Sequence, residues 1–232
     1  MARDTLTQDQ IVRTAVELLD AEGLAGLNMR ALGTRLDSAT TAVYWHVKSK
    51  DNLVLLATDQ VWNELTLPDP GAADWRAAIT AMATDLHAMF ARHPWLVQVL
   101  AAHLVYGEGK ARHDECSLAL YEAAGFTAAQ CDQAAGAVFT YVLGNATGAA
   151  ATASLTRRGS PGESSTEEQF RHAMAEAREI AVRYPRLRAR LETRAAADYA
   201  AAPEGTFEFG LRVLLDGLEQ ELAAQTGPTA PR

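Results

Sequence analysis

The sequence predicts an all-α protein, with a small three-helix unit in front and a larger helical domain behind it. Three observations carry that reading. Apolar residues return at spacings of three and four along almost the whole chain. No alternating apolar–polar run of strand length occurs, and no internal repeat. Capping residues and Gly or Pro breakers punctuate the pattern at helix-length intervals.

Taken in order, Thr7-Gln8-Asp9-Gln10 fits a capping box, and Leu6 with Ile11 is placed to form the hydrophobic staple around it. Ile11, Ala15, Leu18 and Leu19 then share a face, and Gly23 is the expected stop. Asn28 is placed to cap a short helix, Met29 to Leu36, with Leu32 and Leu36 facing inward. Asp37-Ser38-Ala39 reads as a turn, followed by a helix from Thr40 to Val47. Ser49-Lys50-Asp51 opens a longer helix running to about Leu65. Leu67-Pro68-Asp69-Pro70-Gly71 is the clearest break. Helices are then expected at about 74–92, 94–105, 112–124 and 128–153, with Gly125-Phe126 between the last two. Residues 156–166 read as a polar loop, Ser165-Thr166-Glu167-Glu168 caps the next helix, and Pro185 kinks or ends it. Thr206 starts a final helix with Phe207, Leu211, Leu214, Leu218 and Leu222 on one side.

An apolar share of 48% with 22% charged residues excludes a disordered or fibrous chain. The net charge of −8 excludes a general nucleic-acid coat, so any DNA contact must be local. That charge is unevenly spread. Residues 1–50 balance their acids and bases, while Asn28 to Lys50 sets Arg30, Arg35, Lys48 and Lys50 against Asp37 alone. A small basic island in an acidic protein is the first functional clue. Two cysteines, Cys116 and Cys131, cannot build a disulfide framework and suit a reducing cytosol. Met1 to Gln10 holds no apolar signal core, so a cytoplasmic protein is expected. Gln133 to Thr156 is uncharged and long enough to span a bilayer, but Ala, Gly and Thr dominate it. A buried, closely packed helix is the expectation, and no membrane partner.

Two short helices joined by a tight turn, the second basic and aromatic, describe a helix-turn-helix DNA reader. A helix fits the major groove, where each base pair shows a distinct pattern of donors and acceptors. Thr40, Thr41 and Ala42 open the second helix, the end that meets base edges. Arg30 is long enough to fork onto a guanine. Tyr44, Trp45, His46, Lys48 and Lys50 turn hydroxyl, ring N–H and cationic groups toward phosphates. Tyr44 and Trp45 are adjacent on a helix, so at most one of them can be fully buried.

The run Gly26-Leu27-Asn28-Met29-Arg30-Ala31-Leu32, then Leu36, then Val43-Tyr44-Trp45-His46-Val47-Lys48-Ser49-Lys50, resembles the N-terminal domain of the tetracycline-repressor (TetR) family. The likeness is strong over residues 7–65. It continues more weakly through Trp75, His93-Pro94, Gly125-Phe126 and Tyr141 to Gly144. It implies a homodimer that binds a palindromic double-stranded DNA operator and lets go when a small molecule enters the C-terminal domain. The organisation is then a DNA-binding domain at 1–50, a connecting helix at 51–66, a ligand-binding and dimerisation domain at 67–225 and a flexible tail at 226–232. Arg30, Tyr44, Trp45, His46, Lys48 and Lys50 match family positions that touch DNA, and Asn28 replaces a phosphate-contacting Thr. Thr40, Thr41 and Ala42 replace the base-reading Gln, Pro and Thr of the tetracycline-responsive members, so the operator should differ. Asp37 stands where the family usually has a turn glycine, a position Asp tolerates.

The effector side departs further from those members. Met82 and Leu86 fall where their drug-binding Asn and Phe stand, and Leu100 where their metal-binding His stands. The expected effector is therefore no metal chelate but a small, largely apolar molecule. Its candidate walls are Leu86, Met89, Phe90, Leu100, His103, Leu104, Phe139, Val142 and Asn145. No residues have metal-ligand spacing: His87 and His93 lie on different helix faces, and His113-Asp114-Glu115-Cys116 is contiguous. No cofactor loop is visible, since Gly107-Glu108-Gly109-Lys110 lacks the rest of a phosphate-binding motif. Arg183, Arg186, Arg188, Arg190 and Arg194 are interspersed with Glu179, Glu192 and Asp198, which reads as a solvated face. Pairing between copies is expected through the Leu/Phe stripe of the final helix and the slim face of Gly136, Thr140, Gly144, Thr147 and Gly148. A repressor is the leading reading. An activator or partner-controlled regulator of the same fold stays open, and an enzyme is a remote third.

Overall fold

A computed structural model describes residues 6–71, 74–158, 166–191 and 205–226. Every regular element among them is an α-helix. The front unit contains α1 (Gln8–Gly26), α2 (Met29–Arg35) and α3 (Thr40–Val47). Thr7 caps α1 reciprocally: its hydroxyl oxygen accepts the Gln10 N–H at 3.2 Å, and Gln10 Oε1 accepts the Thr7 N–H at 2.9 Å. Gly23 bends this helix instead of ending it. It takes φ 69° and ψ −175°, a conformation essentially reserved for glycine, and helical turns resume as far as Gly26.

Asn28 caps α2 by accepting the Ala31 N–H at 2.8 Å. The turn into α3 is carried by Asp37 at φ 47°. Gly33 makes the corner possible, because a Cβ there would lie 2.8 Å from the Ser38 carbonyl oxygen. Ser49 then opens α4 (Lys50–Trp62), accepting the Asn52 N–H at 3.0 Å.

The rear domain comprises α5 (Trp75–Arg92), α6 (Trp95–Ala102), α7 (Glu108–Ala124), α8 (Ala128–Arg158), α9 (Thr166–Val182), α10 (Pro185–Leu191) and α11 (Thr206–Thr226). Three boundaries correct the sequence expectation. Helix α8 runs to Arg158 and not 153, into the first residues of the expected loop. Helix α6 stops at Ala102, short of 105, because His103 turns extended at φ −129° and ψ 144°. Helix α7 starts at Glu108 and not near 112. The Asp59 carboxylate of α4 accepts the Gly109 N–H at 2.8 Å, so the cap comes from another helix. Pro185 is the first residue of α10, a position where its missing N–H costs nothing.

One apolar core runs unbroken from Ile11, Leu18 and Leu19 through Val61 and Trp62 to Leu86, Phe90, Leu120, Val142 and Leu215. Each fully buried side chain of this kind contributes about 1.5–3 kcal/mol. Helix α8 packs against α5, α7 and α11. The Tyr141 hydroxyl of α8 lies 2.9 and 3.0 Å from the carbonyl oxygens of Thr206 and Phe207. Arg76 of α5 pairs with Asp216 and with Glu219, the latter at 2.8 Å, tying α5 to α11.

The α11 stripe expected to pair with a second copy is used inside the chain. Phe207 and Leu211 are buried there, with Leu214, Leu218 and Leu222 half-buried against the same core. The α11 face left outside carries Phe209, 63% exposed, and Val213, 49% exposed. Arg183, Arg186, Arg188 and Arg190 are all exposed. Glu192, Arg194 and Asp198 lie outside the described residues, as do most of the 156–166 loop, the Ser165 cap and the tail from 227. No described helix is long and apolar enough to cross a membrane.

Candidate functional site

Helix α3 is sharply two-sided. Val43 and Val47 are fully buried and fasten it to the core. Thr41, Ala42, Tyr44, Trp45 and Lys48 point outward, with Thr40 and His46 half-buried at the edges. Trp45 is 80% exposed and Tyr44 45%. Aromatic rings standing in water within a cationic setting fit a surface built to be covered. The His46 ring meets the Trp45 ring edge-on with centroids 5.0 Å apart. Gln8 of α1 donates to the His46 carbonyl at 3.2 Å and steadies the end of α3.

Three cations border this face. Arg30 is exposed at the start of α2. Lys50 is exposed too, and its ammonium donates to the Leu24 carbonyl at 3.3 Å with further N–H groups to spare. Lys48 adopts φ 63° and ψ −49°, and the Ser49 N–H closes onto the Val47 carbonyl at 2.7 Å. This is a γ-turn of the strained hand, held just where α3 leaves the surface. Arg35 is tied back to Glu22 at 3.1 Å. The Asn28 amide, expected on a phosphate, is engaged locally: besides its cap it donates to the Gly26 carbonyl at 3.1 Å.

The interior candidates divide. Leu86, Met89, Phe90 and Val142 are buried, and Leu100, His103, Phe139 and Asn145 are half-buried. Asn145 donates to the Tyr141 carbonyl at 2.9 Å. Leu104 is 85% exposed and is no interior wall, because α6 ends before it and the chain runs outward.

Sequence reasoning passed over two buried polar groups, one of them, Trp62, stacked near the candidate wall residue Phe139. Trp62 Nε1 and the Tyr121 hydroxyl are buried with no hydrogen-bond partner among the described residues. Leaving a buried polar group unpaired costs about 1–3 kcal/mol, so each requires an account. Trp62 packs against His113, with centroids 5.1 Å apart, and stacks near Phe139 at 6.3 Å. Lys110 Nζ lies 5.6 Å from both ring centroids and pairs with Asp114. Burial opposes the Asp114 charge, but hydrogen bonds from His113 and Lys110 hold its carboxyl below the usual range. Burial pushes the Tyr121 hydroxyl far up, so it stays a neutral donor. His113, Ser117 and Tyr121 recur every four residues on the buried face of α7. That spacing was the available signal.

Helix α4 joins the two regions. Its thirteen residues span about 20 Å, with Ser49 beside α3 at one end and Trp62 in the interior at the other. Asp59, Trp62 and Asn63 fix that far end to α7 through Gly109, His113 and Arg112.

Residues 11–57 match the family model described as bacterial regulatory proteins, tetR family. Residues 67–222 match the tetracyclin repressor-like, C-terminal domain. The chain belongs to the TetR family. It is 34% identical to the HTH-type transcriptional repressor DrrR1 of Streptomyces coeruleorubidus, over 99% of this chain and 83% of that protein. It is 39% identical to an HTH-type transcriptional regulator of Saccharopolyspora erythraea over 140 residues, 60% of this chain and 59% of the relative. Among solved structures, apo ActR of Streptomyces coelicolor superposes with a TM-score of 0.74 at 26% identity, covering 97% of this chain and all of that one. The same protein in complex with actinorhodin matches with a TM-score of 0.72 at 25% identity, covering 93% of this chain and 96% of that one. These TetR relatives are named transcription regulators, so the enzyme alternative falls.

Proposed function

We propose that this TetR-family protein is a cytoplasmic repressor that binds a palindromic operator as a homodimer and releases it when a small molecule occupies the C-terminal domain. The observation that carries the DNA half is the two-sided α3, with Val43 and Val47 anchored inside and Tyr44, Trp45 and Lys48 displayed outside. Thr40, Thr41 and Ala42 read bases at its first turn, Arg30 reads a guanine from α2, and the cations together with Asn28 and His46 hold phosphates.

Pairing is supported by α8 and α11, which pack side by side. Apart from the adjoining backbone of their own helices, no described heavy atom comes within 4 Å of where a Cβ would stand on Gly136, Gly144, Gly148 or Gly217. Together with exposed Phe209 and Val213, these positions leave a slim apolar face on which a second copy's helices can close. A twofold dimer then sets the two α3 helices one helical turn of DNA apart, or a multiple of it.

The effector is mostly apolar but carries hydrogen-bonding groups. Leu86, Met89, Phe90, Phe139 and Val142 supply apolar wall, with Leu100, His103 and Asn145 at its margin, while Trp62, stacked near Phe139, offers a ring N–H that has no partner among the described residues. The complex of ActR with actinorhodin supports a small-molecule effector for this fold. Because Trp62 and Asp59 sit on α4, a ligand that displaces α7 displaces the mount of the reading helix.

Gel shift and in vitro transcription with the DNA upstream of the chain's own gene test this reading. Retardation, reduced transcription and reversal by an added metabolite are expected. No retardation at low salt would sink the proposal, and a rise in transcription would replace repressor by activator.

A further inference from the structure

We propose that His93 is the positioning residue that locks the DNA-reading unit onto the C-terminal domain, through an imidazole clasped between carboxylates from two elements. The inference rests on the operator-binding reading above. His93 is buried between α5 and α6. Its Nδ1 lies 2.7 Å from Asp20 Oδ1 on α1. The same oxygen accepts the Trp95 indole N–H of α6 at 2.7 Å. Its Nε2 lies 3.2 Å from Glu64 Oε2, just beyond α4. Arg92 of α5 approaches that Glu64 oxygen at 3.6 Å. Among the described residues, the charged groups facing the ring are therefore Asp20 from α1, Glu64 from the α4 exit and Arg92 from α5.

Ionised carboxylates only accept hydrogen bonds, so both ring nitrogens must carry hydrogen to satisfy both partners. The clasp is complete only as an imidazolium. Burial alone would lower the pKa of His93, but the hydrogen bond and charge of Asp20, then those of Glu64, raise it above its ordinary value. A neutral ring keeps one N–H. The shorter Asp20 contact, shared with Trp95, retains it, and the longer Glu64 contact yields. That removes one tie between the end of α4 and the α5–α6 corner, leaving Arg92 alone on Glu64 there, while α1 stays attached.

The consequence reaches the operator. A reading unit with both of these ties, on top of the shared core, is better pre-organised; with one tie lost, the corner must be ordered on docking, which weakens binding. Operator affinity should fall as pH rises through the His93 titration. By reciprocity, bound operator should favour the protonated ring.

The test measures operator affinity of the full-length protein at constant ionic strength from about pH 6 to about pH 9, for wild type and His93→Gln. Glutamine retains a donor for Asp20 and cannot titrate. Wild type is expected to lose about fivefold more affinity across that range than the variant. ¹⁵N spectra of the histidine rings should show both His93 nitrogens protonated at neutral pH. If His93→Gln does not fold, Glu64→Gln serves, and it should lower the titration midpoint. Identical pH profiles for wild type and variant, or a neutral His93 ring at pH 7, overturn the proposal. A protein that binds no operator at any pH overturns the functional reading instead, and the ring spectra still decide the clasp.

Discussion

Lys48 sits at φ 63°, a region in which a lysine stores about 1–3 kcal/mol of strain, and glycine would relieve it. The strain persists at the position where an ammonium group leaves α3 on its exposed side. Lys48→Gly should therefore raise the urea midpoint by roughly 1 kcal/mol of stability while lowering the salt slope of operator binding by about one phosphate's worth. An unchanged slope would remove Lys48 from the phosphate contacts. Arg30→Ala should cost on the order of 1–3 kcal/mol and relax preference at one base pair, which a set of single-site operator variants would reveal. The exposure of both side chains was legible in the sequence, since it follows from residue type and helical register. The local engagement of Asn28 was half legible: its cap was foreseen, and the capping geometry leaves less of the amide for DNA.

Helix starts were legible where a side chain close by in the chain caps them. The Thr7 box, the Asn28 cap, the Asp37 turn and the Ser49 cap all depend on residues within a few positions. Helix α7 was placed late because the N–H of Gly109, in its first turn, is met by Asp59, fifty positions upstream. Asp59→Ala should fray that first turn, cost about 1 kcal/mol and blunt the effector response more than operator affinity; amide exchange at residues 108–111 would register the fraying. Gly33 marks the opposite limit. Gly33→Ala drives a methyl against the Ser38 carbonyl oxygen, so thermal melting should show a loss of about 1–3 kcal/mol from overpacking.

At the scale of the molecule, the continuous core makes the reading unit and the rear domain one cooperative body. Its stability should then carry the signature of His93. The folded-state pKa lies above the ordinary 6.5. The group's contribution is thus complete below about 6.5 and is lost as pH climbs through the raised value. Asp114 works in reverse: its folded pKa lies below the ordinary 3.8, so its contribution is present above that and is lost on acidification through the lowered value. Melting temperature should decline on the alkaline side of neutrality in wild type and less steeply in His93→Gln. Equal slopes would count against any stabilising charge on that ring.

Helical period, most caps and a contiguous motif lie in neighbouring residues, so the helices, the exposed cationic face of α3 and the family could be read from the chain alone. Only the tertiary structure decided which polar groups end up buried without partners, which α11 face stays open, and that Asp20, Glu64 and His93 meet. Those outcomes depend on distances between segments far apart in the chain, which no local pattern encodes.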